Sequence, residues 1–337
     1  MENCKVLVTG AAGFMGSHVV DECLKRGMEV VAVDDLSGGF EQNVPDGATW
    51  IKGDLKDKKL VKRVFEKHNF EYVYHLAAYA AEGLSHFIRR FNYNNNLIAS
   101  VNLLNQAVKN KVDCFVFTSS IAVYGDSETP LKEEAVPSPE DPYGIAKYAF
   151  ELDLMSANEQ FDLDYIIFRP HNVYGERQNI ADKYRNVVGI FMNQLLKEEP
   201  MTIFGDGKQT RAFSYIDDVA PIVARGPVTK GARNEIFNVG ADTPYTVLEL
   251  AEKVADALDV SPKIKHLPAR NEVKHAYSDH AKMKRVFDPP EPVDLETGLK
   301  RMANWVKTKG PVNPTTFDNV EVARNMPNIW DENLVNS

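Results

Sequence analysis

Short apolar, β-rich runs recur along the first half of the chain: "KVLVT" at 5–9, "EVVAV" at 29–33, "YVYHL" at 72–76, "CFVFT" at 114–118 and "YIIF" at 165–168. Each is nearly continuous in its apolar character, and helical patterns of roughly 15 to 25 residues separate them. A strand buried on both faces needs no polar side, so this alternation predicts a mostly parallel sheet covered by crossover helices on both faces. After Arg169 the pattern loosens. Residues 171–215 carry polar, Gly-rich segments, "IFNVG" at 236–240 predicts one more buried strand, and "TVLELAEKVADALD" at 246–259 predicts an amphipathic helix. The expected fold class is α/β: a doubly wound parallel sheet over 1–170, rejoined by the strand near 236–240, and a smaller α/β lobe over 171–310. A tail over 311–337 has little periodicity, and Trp330 is its docking signal.

Composition narrows this picture. The chain has 337 residues, more than one hydrophobic core usually serves. With 44% apolar and 26% charged residues and no apolar run near 18, it reads as globular, with no membrane span. "MENCKVLVTG" enters a strand directly, without a signal-peptide pattern, so a cytoplasmic location is expected. Cys4, Cys23 and Cys114 lie in or beside apolar segments without CxxC spacing, which predicts reduced core thiols and no metal. A net charge of -9 disfavours nucleic acid as a partner. Anionic ligands would have to be held locally.

The first chemical motif is "VTGAAGFMGSH", with Gly10, Gly13 and Gly16 between a strand and a helix. Such a loop must turn sharply, let backbone approach a pyrophosphate, and open a helix whose N-terminal amides hold negative charge. Glycine meets all three demands. Asp34, at the end of the second strand, is placed to accept hydrogen bonds from both adenosine ribose hydroxyls and to repel a 2′-phosphate. No Arg or Lys lies in "DLSGGF", so NAD is expected rather than NADP. Asp54 in "IKGDLKD" reads equally well as an adenine-side contact or a helix N-cap.

The second motif runs from "TSSIAVYG" to "PYGIAKYAFELDLM". A tyrosine ordinarily titrates near 10, so its use as a base near neutral pH needs phenolate stabilised by roughly 4 kcal/mol. Tyr143 and Lys147, four residues apart, share one helical face, so the ammonium is expected to lower the phenol and to reach a ribose hydroxyl. Ser119 and Ser120 end a central strand, where open α/β sheets place ligands, and their hydroxyls could relay a proton.

Together "TGAAGFMGSH", "HLAA", "SSIAVYG", "YGIAK", "FRPHNVYG" and "FGDGKQTRAFSYIDDVA" resemble the extended short-chain dehydrogenases acting on nucleotide sugars, most of all the UDP-hexose 4-epimerases. The resemblance covers about residues 4 to 308. It implies a Rossmann domain holding NAD tightly, a C-terminal lobe closing over the nucleotide-diphosphate sugar, and Ser120, Tyr143 and Lys147 as the catalytic set. It further implies that Phe14, Met15, Leu55, Leu76 and Ala77 lie against NAD, with Ala78, Asn96 and Ser119. On the substrate side it implies Asn172 and Asn186 at the sugar diphosphate, Phe204 against the base, Arg211 and Arg270 on phosphate, and Ser85 on the sugar. Similar dehydratases and decarboxylases carry acidic residues directly after the catalytic hydroxyl, and similar 3,5-epimerases a cysteine at the second position. This chain has Ile121 and Ala122 there. The reading is therefore C4 epimerisation; the resemblance implies a gate residue beside the sugar, Ala276 or, one position on, Tyr277, while Glu82, Gly83 and His86 depart from the usual sugar loop and His86 reads as a loop histidine. Helices around 92–109 and 143–159, with Leu97, Val101, Leu104, Ala149, Leu152 and Leu154, are expected to pair in a homodimer. The competing class is a non-catalytic NAD- or RNA-binding protein on the same fold; the intact Ser120, Tyr143 and Lys147 argue against it.

Overall fold

In the computed structural model, which describes residues 4–270, 272–314 and 317–330, seven strands form one parallel sheet. They are β1 (Lys5–Thr9), β2 (Glu29–Asp34), β3 (Thr49–Lys52), β4 (Tyr72–His75), β5 (Cys114–Thr118), β6 (Asp164–Pro170) and β7 (Glu235–Val239), in the spatial order β7-β6-β5-β4-β1-β2-β3. This is the Rossmann arrangement. The order reverses between β1 and β4, which leaves a crevice beyond their C-terminal ends. β7 pairs with β6 after the chain has built most of the second lobe. β3 carries only two apolar side chains and is largely open to solvent, which is why no continuous apolar run marks it in the sequence.

Alternation along each strand divides the core in two. Val6 and Val8 of β1 join Val30 and Ala32 of β2 on the face covered by the Phe14–Lys25 and Ile216–Arg225 helices. Leu7, Val31, Val33, Phe115 and Phe117 face the opposite way, beneath the Lys58–Lys67, Ala99–Lys109 and Pro142–Phe161 helices. Leu104 and Leu154 belong to this second layer, whereas Ile98, Ile145 and Leu152 stay exposed.

The second lobe is assembled from short strands: Met201–Phe204 with Ile264–Leu267, and Thr210–Ala212 between Pro244–Thr246 and His275–Ala276. The Val247–Leu258 helix starts with a capping box, in which Thr246 accepts from the Glu249 amide and the Glu249 carboxylate accepts from Thr246. The segment after Lys309 returns toward the crevice. Phe317 and Trp330 pack there with Tyr79, Phe87, Phe91, Tyr184 and Phe204, and Trp330 is buried. Among the described residues no helix is long and apolar enough to cross a membrane.

Candidate active site

The crevice opens into a cavity of about 500 Å³ that runs from the glycine loop to the second lobe. At its sheet end Gly10 adopts φ +72°, and a Cβ there would meet Ala77 N at 2.6 Å. A Cβ on Gly16 would sit 1.9 Å from Gly10 O, so helix and loop pack at a distance that admits no side chain. The Phe14–Lys25 helix begins at Gly13 without a side-chain cap, leaving its first amides and positive dipole end for an anion. Asp34 accepts from Ala12 N at 3.1 Å and from Leu36 N at 2.7 Å. Burial raises its carboxyl, and these backbone donors partly offset that. Phe14, Met15, Asp54, Leu55, Leu76, Ala77 and Ala78 complete this wall. Asp54 is not the N-cap of the following helix; Asp57 is, accepting from Lys59 N at 2.8 Å. A backbone cradle, an uncapped helix end and a ribose-directed carboxylate fit a dinucleotide.

On the opposite side of the crevice, Asp141 caps the Pro142–Phe161 helix by accepting from Gly144 N at 2.9 Å. Tyr143, Lys147 and Glu151 then follow at intervals of four on one face. Tyr143 and Ser120 line the same cavity, and the Ser120 hydroxyl, which accepts from Ala122 N at 3.1 Å, acts to lower the phenol. Lys147 and Tyr143 share this face without a direct hydrogen bond between them. Lys147 Nζ donates to Thr118 O at 2.7 Å and lies 5.8 Å from the Tyr143 ring centroid. Burial lowers the ammonium to about 7 against an opposing pull from Glu151. Burial also raises the Tyr143 phenol, helped by Glu82, while Ser120 and Arg185 pull it down.

Behind this face lies a polar group the sequence does not announce. Glu151 and Arg169 form an ion pair at 0% and 2% side-chain exposure, with Arg169 Nε donating to Glu151 at 3.0 Å. Ser119 donates its hydroxyl to the same carboxylate, and both Ser119 and Ser120 line the cavity. The Arg169 guanidinium stacks on Tyr124, whose hydroxyl donates to Asn238 at 2.8 Å. The spacing Tyr-x3-Lys-x3-Glu was the available signal for Glu151.

Asn172, Asn186, Phe204, Arg211, Arg270 and Ala276 all line the far end of the cavity, and Tyr277 is not among its lining residues. Asn186 adopts φ 62° at the start of the Val187–Leu196 helix, whose N-terminus has no side-chain cap. Arg211 donates to the carbonyls of Thr210, Val273 and Lys274, at 2.8, 2.6 and 3.0 Å. Arg270 lies between Phe204 and Trp330 and donates to Glu272 at 2.9 Å. Beside Asn172, His171 faces the cavity and is kept neutral by burial, its Nε2 3.0 Å from Nε2 of His280.

Two expected contacts are not brought to the cavity wall. Ser85 is buried; its hydroxyl donates to Glu82 O at 2.6 Å and accepts from Tyr143 N at 3.3 Å, so it braces the start of the Pro142–Phe161 helix. Asn96 sits in a π-helical turn, Asn94–Ile98, and clamps Tyr79 by accepting from its N–H at 2.7 Å and donating to its C=O at 3.1 Å. Conversely, Glu82, Tyr79 and Arg185 line the cavity, Glu82 and His86 on the loop whose sequence departs from the usual pattern. Arg185 comes from the second lobe to within 3.2 Å of where a Gly38 Cβ would stand, stacks on Tyr79 and pairs with Asp182. A window of sequence after Asp34 could not reveal it.

A model of the NAD dependent epimerase/dehydratase family matches residues 6–240. The UDP-glucose 4-epimerase of Mycolicibacterium smegmatis is 33% identical over 315 residues, covering 90% of this chain and 99% of that protein. Among solved structures, the UDP-glucose 4-epimerase of Thermotoga maritima, determined with UDP-glucose, superposes with a TM-score of 0.86 at 34% identity, covering 90% of this chain and 99% of that one. The UDP-N-acetylglucosamine 4-epimerase of Methanobrevibacter ruminantium, in complex with UDP-N-acetylmuramic acid, gives 0.84 at 32% identity over 92% of this chain and all of that one.

Replacing one member of the buried pair tests its weight. Glu151→Ala leaves the Arg169 guanidinium uncompensated in the core and removes the acceptor of Ser119, so it should destabilise the protein by about 3–5 kcal/mol in chemical denaturation. A loss below about 1 kcal/mol would mean that water reaches and solvates Arg169.

Proposed function

The chain belongs to the NAD-dependent epimerase/dehydratase family, and from that premise we propose that it is a 4-epimerase of a UDP-hexose, working through a transient 4-keto sugar. The observation that supports this most is the set Ser120–Tyr143–Lys147 in one cavity wall, followed by Ile121 and Ala122 where an acid would be needed for dehydration or decarboxylation. NAD, when bound, supplies reversible acceptance of the hydride. Gly10, Gly13, Gly16 and Asp34 would hold it. Lys147, fixed on Thr118 O, is the residue to hold the nicotinamide-side ribose. Tyr143 takes the proton of the C4 hydroxyl and returns it, and Ser120 relays it between phenol and sugar. Because burial raises the phenol, Tyr143 is a useful base only with positive charge nearby; Lys147, 5.8 Å from the ring centroid, is the proposed source, and Arg185 acts in the same direction.

On the far side, the amides that open the Val187–Leu196 helix, with Asn172, Asn186, Arg211 and Arg270, are the proposed diphosphate site, and Phe204 the proposed base contact. The division into a dinucleotide half up to residue 170 and a substrate lobe over 171–310 follows from this assignment. We further propose a homodimer formed through Ile98, Ile145 and Leu152, which stay exposed on adjacent helices. A cytoplasmic setting agrees with the chain's three free thiols, two of which are raised to about 12 by burial.

Tyr143→Phe should lower kcat by about 10²–10⁴-fold while leaving NAD bound, because it removes the base and no cofactor contact. Retention of more than about a tenth of the rate would remove Tyr143 from that role. Lys147→Ala should weaken both turnover and NAD retention.

The position of Ala276 in the cavity wall leaves space beside the sugar, so UDP-N-acetylhexosamines should be turned over at least as well as the unsubstituted hexoses. Ala276→Tyr should lower kcat/KM for the acetylated substrate selectively, by about 1–3 kcal/mol of transition-state stabilisation. Equal loss on both substrates would separate Ala276 from sugar choice. Light scattering at micromolar concentration should give the mass of two chains, and a monomer mass would refute the proposed interface.

A further inference from the structure

Glu82 stands out among the charged groups of the cavity because its carboxyl has no partner among the described residues and sits on a loop bonded to the start of the Tyr143 helix. Its residue is exposed, yet it lies deep in the cleft, so what it is exposed to is the cavity itself. Among the described residues its carboxyl makes no hydrogen bond or ion pair. The neighbouring charges are committed elsewhere: Arg211 to the backbone carbonyls of 273 and 274, Arg270 to Glu272, and Asp141 to the amide of Gly144. Ser85 bonds both Glu82 O and Tyr143 N, which sets this loop beside the start of the helix that carries Tyr143 and Lys147, and Glu82 acts to raise the phenol.

The loop carrying it is held from several directions. Asn96 clamps Tyr79, Ser85 bonds back to Glu82 O, and Trp330 packs so closely on Gly83 that a Cβ there would meet its ring at 2.9 Å. A carboxylate so fixed, and left unsatisfied by protein, calls for hydrogen-bond donors from the substrate. Burial and the charge of Asp141 push it up to about 7, while Arg211 and Arg270 act to lower it.

Building on the 4-epimerase reading, we propose that Glu82 selects the sugar: its carboxylate accepts hydrogen bonds from hydroxyl or amide N–H donors of a neutral hexopyranosyl group and disfavours sugars that carry a carboxylate. A uronic acid would have to place its own anion beside Glu82 or force a proton onto it. Either cost falls on the uronic acid alone, and so it separates two substrate classes that share the same nucleotide.

The test compares UDP-glucose, UDP-N-acetylglucosamine and UDP-glucuronic acid at pH 8.5, by kcat/KM and by calorimetric binding to the full chain. The two neutral sugars should exceed the uronic acid by at least about tenfold in both measurements. Glu82→Gln, nearly isosteric, should bring the three within about threefold by improving the uronic acid, and Glu82→Asp should keep the neutral preference. Equal binding of all three by the wild type, or a uniform loss in Glu82→Gln with an unchanged melting temperature, would overturn the proposal. Turnover without discrimination removes Glu82 and leaves the epimerase reading standing. Discrimination in binding without turnover of any of the three does the reverse.

Discussion

Much of the site hangs on one buried carboxylate. Glu151 projects from the third turn of the helix that carries Tyr143 and Lys147, and it is bonded at once to Ser119 after β5 and to Arg169 on β6. Moving an ion pair into a dry core is costly, and what offsets the cost is the bonding of the carboxylate to Ser119 and Arg169 and the stacking of the guanidinium on Tyr124, while Arg169 Nη1 has no hydrogen-bond partner among the described residues. The helix cannot slide along the sheet without stranding a charge, so the distances from Tyr143 to Ser120 and from Lys147 to Thr118 are held by a group that never reaches the cavity.

Most of the dinucleotide half was legible in the sequence because its determinants are local. A tight turn after Thr9, a carboxylate at the end of the next strand and a Tyr/Lys pair one helical turn apart are each specified within a few residues. The far half was less legible because its contacts join segments distant in the chain. Arg185 reaches Gly38 across the crevice, and Trp330 closes on Gly83. Ser85 and Asn96 show the complementary error. Both are polar, both lie close to the site, and both spend hydrogen bonds on neighbouring protein segments, Ser85 on Glu82 O and Tyr143 N and Asn96 on the backbone of Tyr79. Residue type and spacing report what a side chain could bond, and burial decides what it does bond.

The two halves also differ in how they are held rigid. The glycine loop is fixed by backbone packing too close for any side chain, which leaves little to adjust. The substrate side is held by side-chain hydrogen bonds between loops: His171 to His280, His280 to Asp242 at 2.6 Å, and Arg211 to the 273–274 carbonyls. Such contacts can be exchanged one at a time. The chemistry can therefore stay constant while the pocket around it is retuned for different sugars.

The return of the chain after Lys309 bears on the order in which the molecule matures. Glu321 accepts from the amides of Arg90 and Phe91 at 2.8 Å each, and Trp330 seals the loop that bears Glu82. A chain leaving the ribosome N-terminus first has made every group of the dinucleotide cradle by Lys147, long before this wall exists. Vectorial synthesis thus puts the glycine loop, Asp34 and the Tyr143–Lys147 helix into the chain before the segment that closes over Glu82. The wall that closes over Glu82 is supplied by a segment that follows both lobes in the chain.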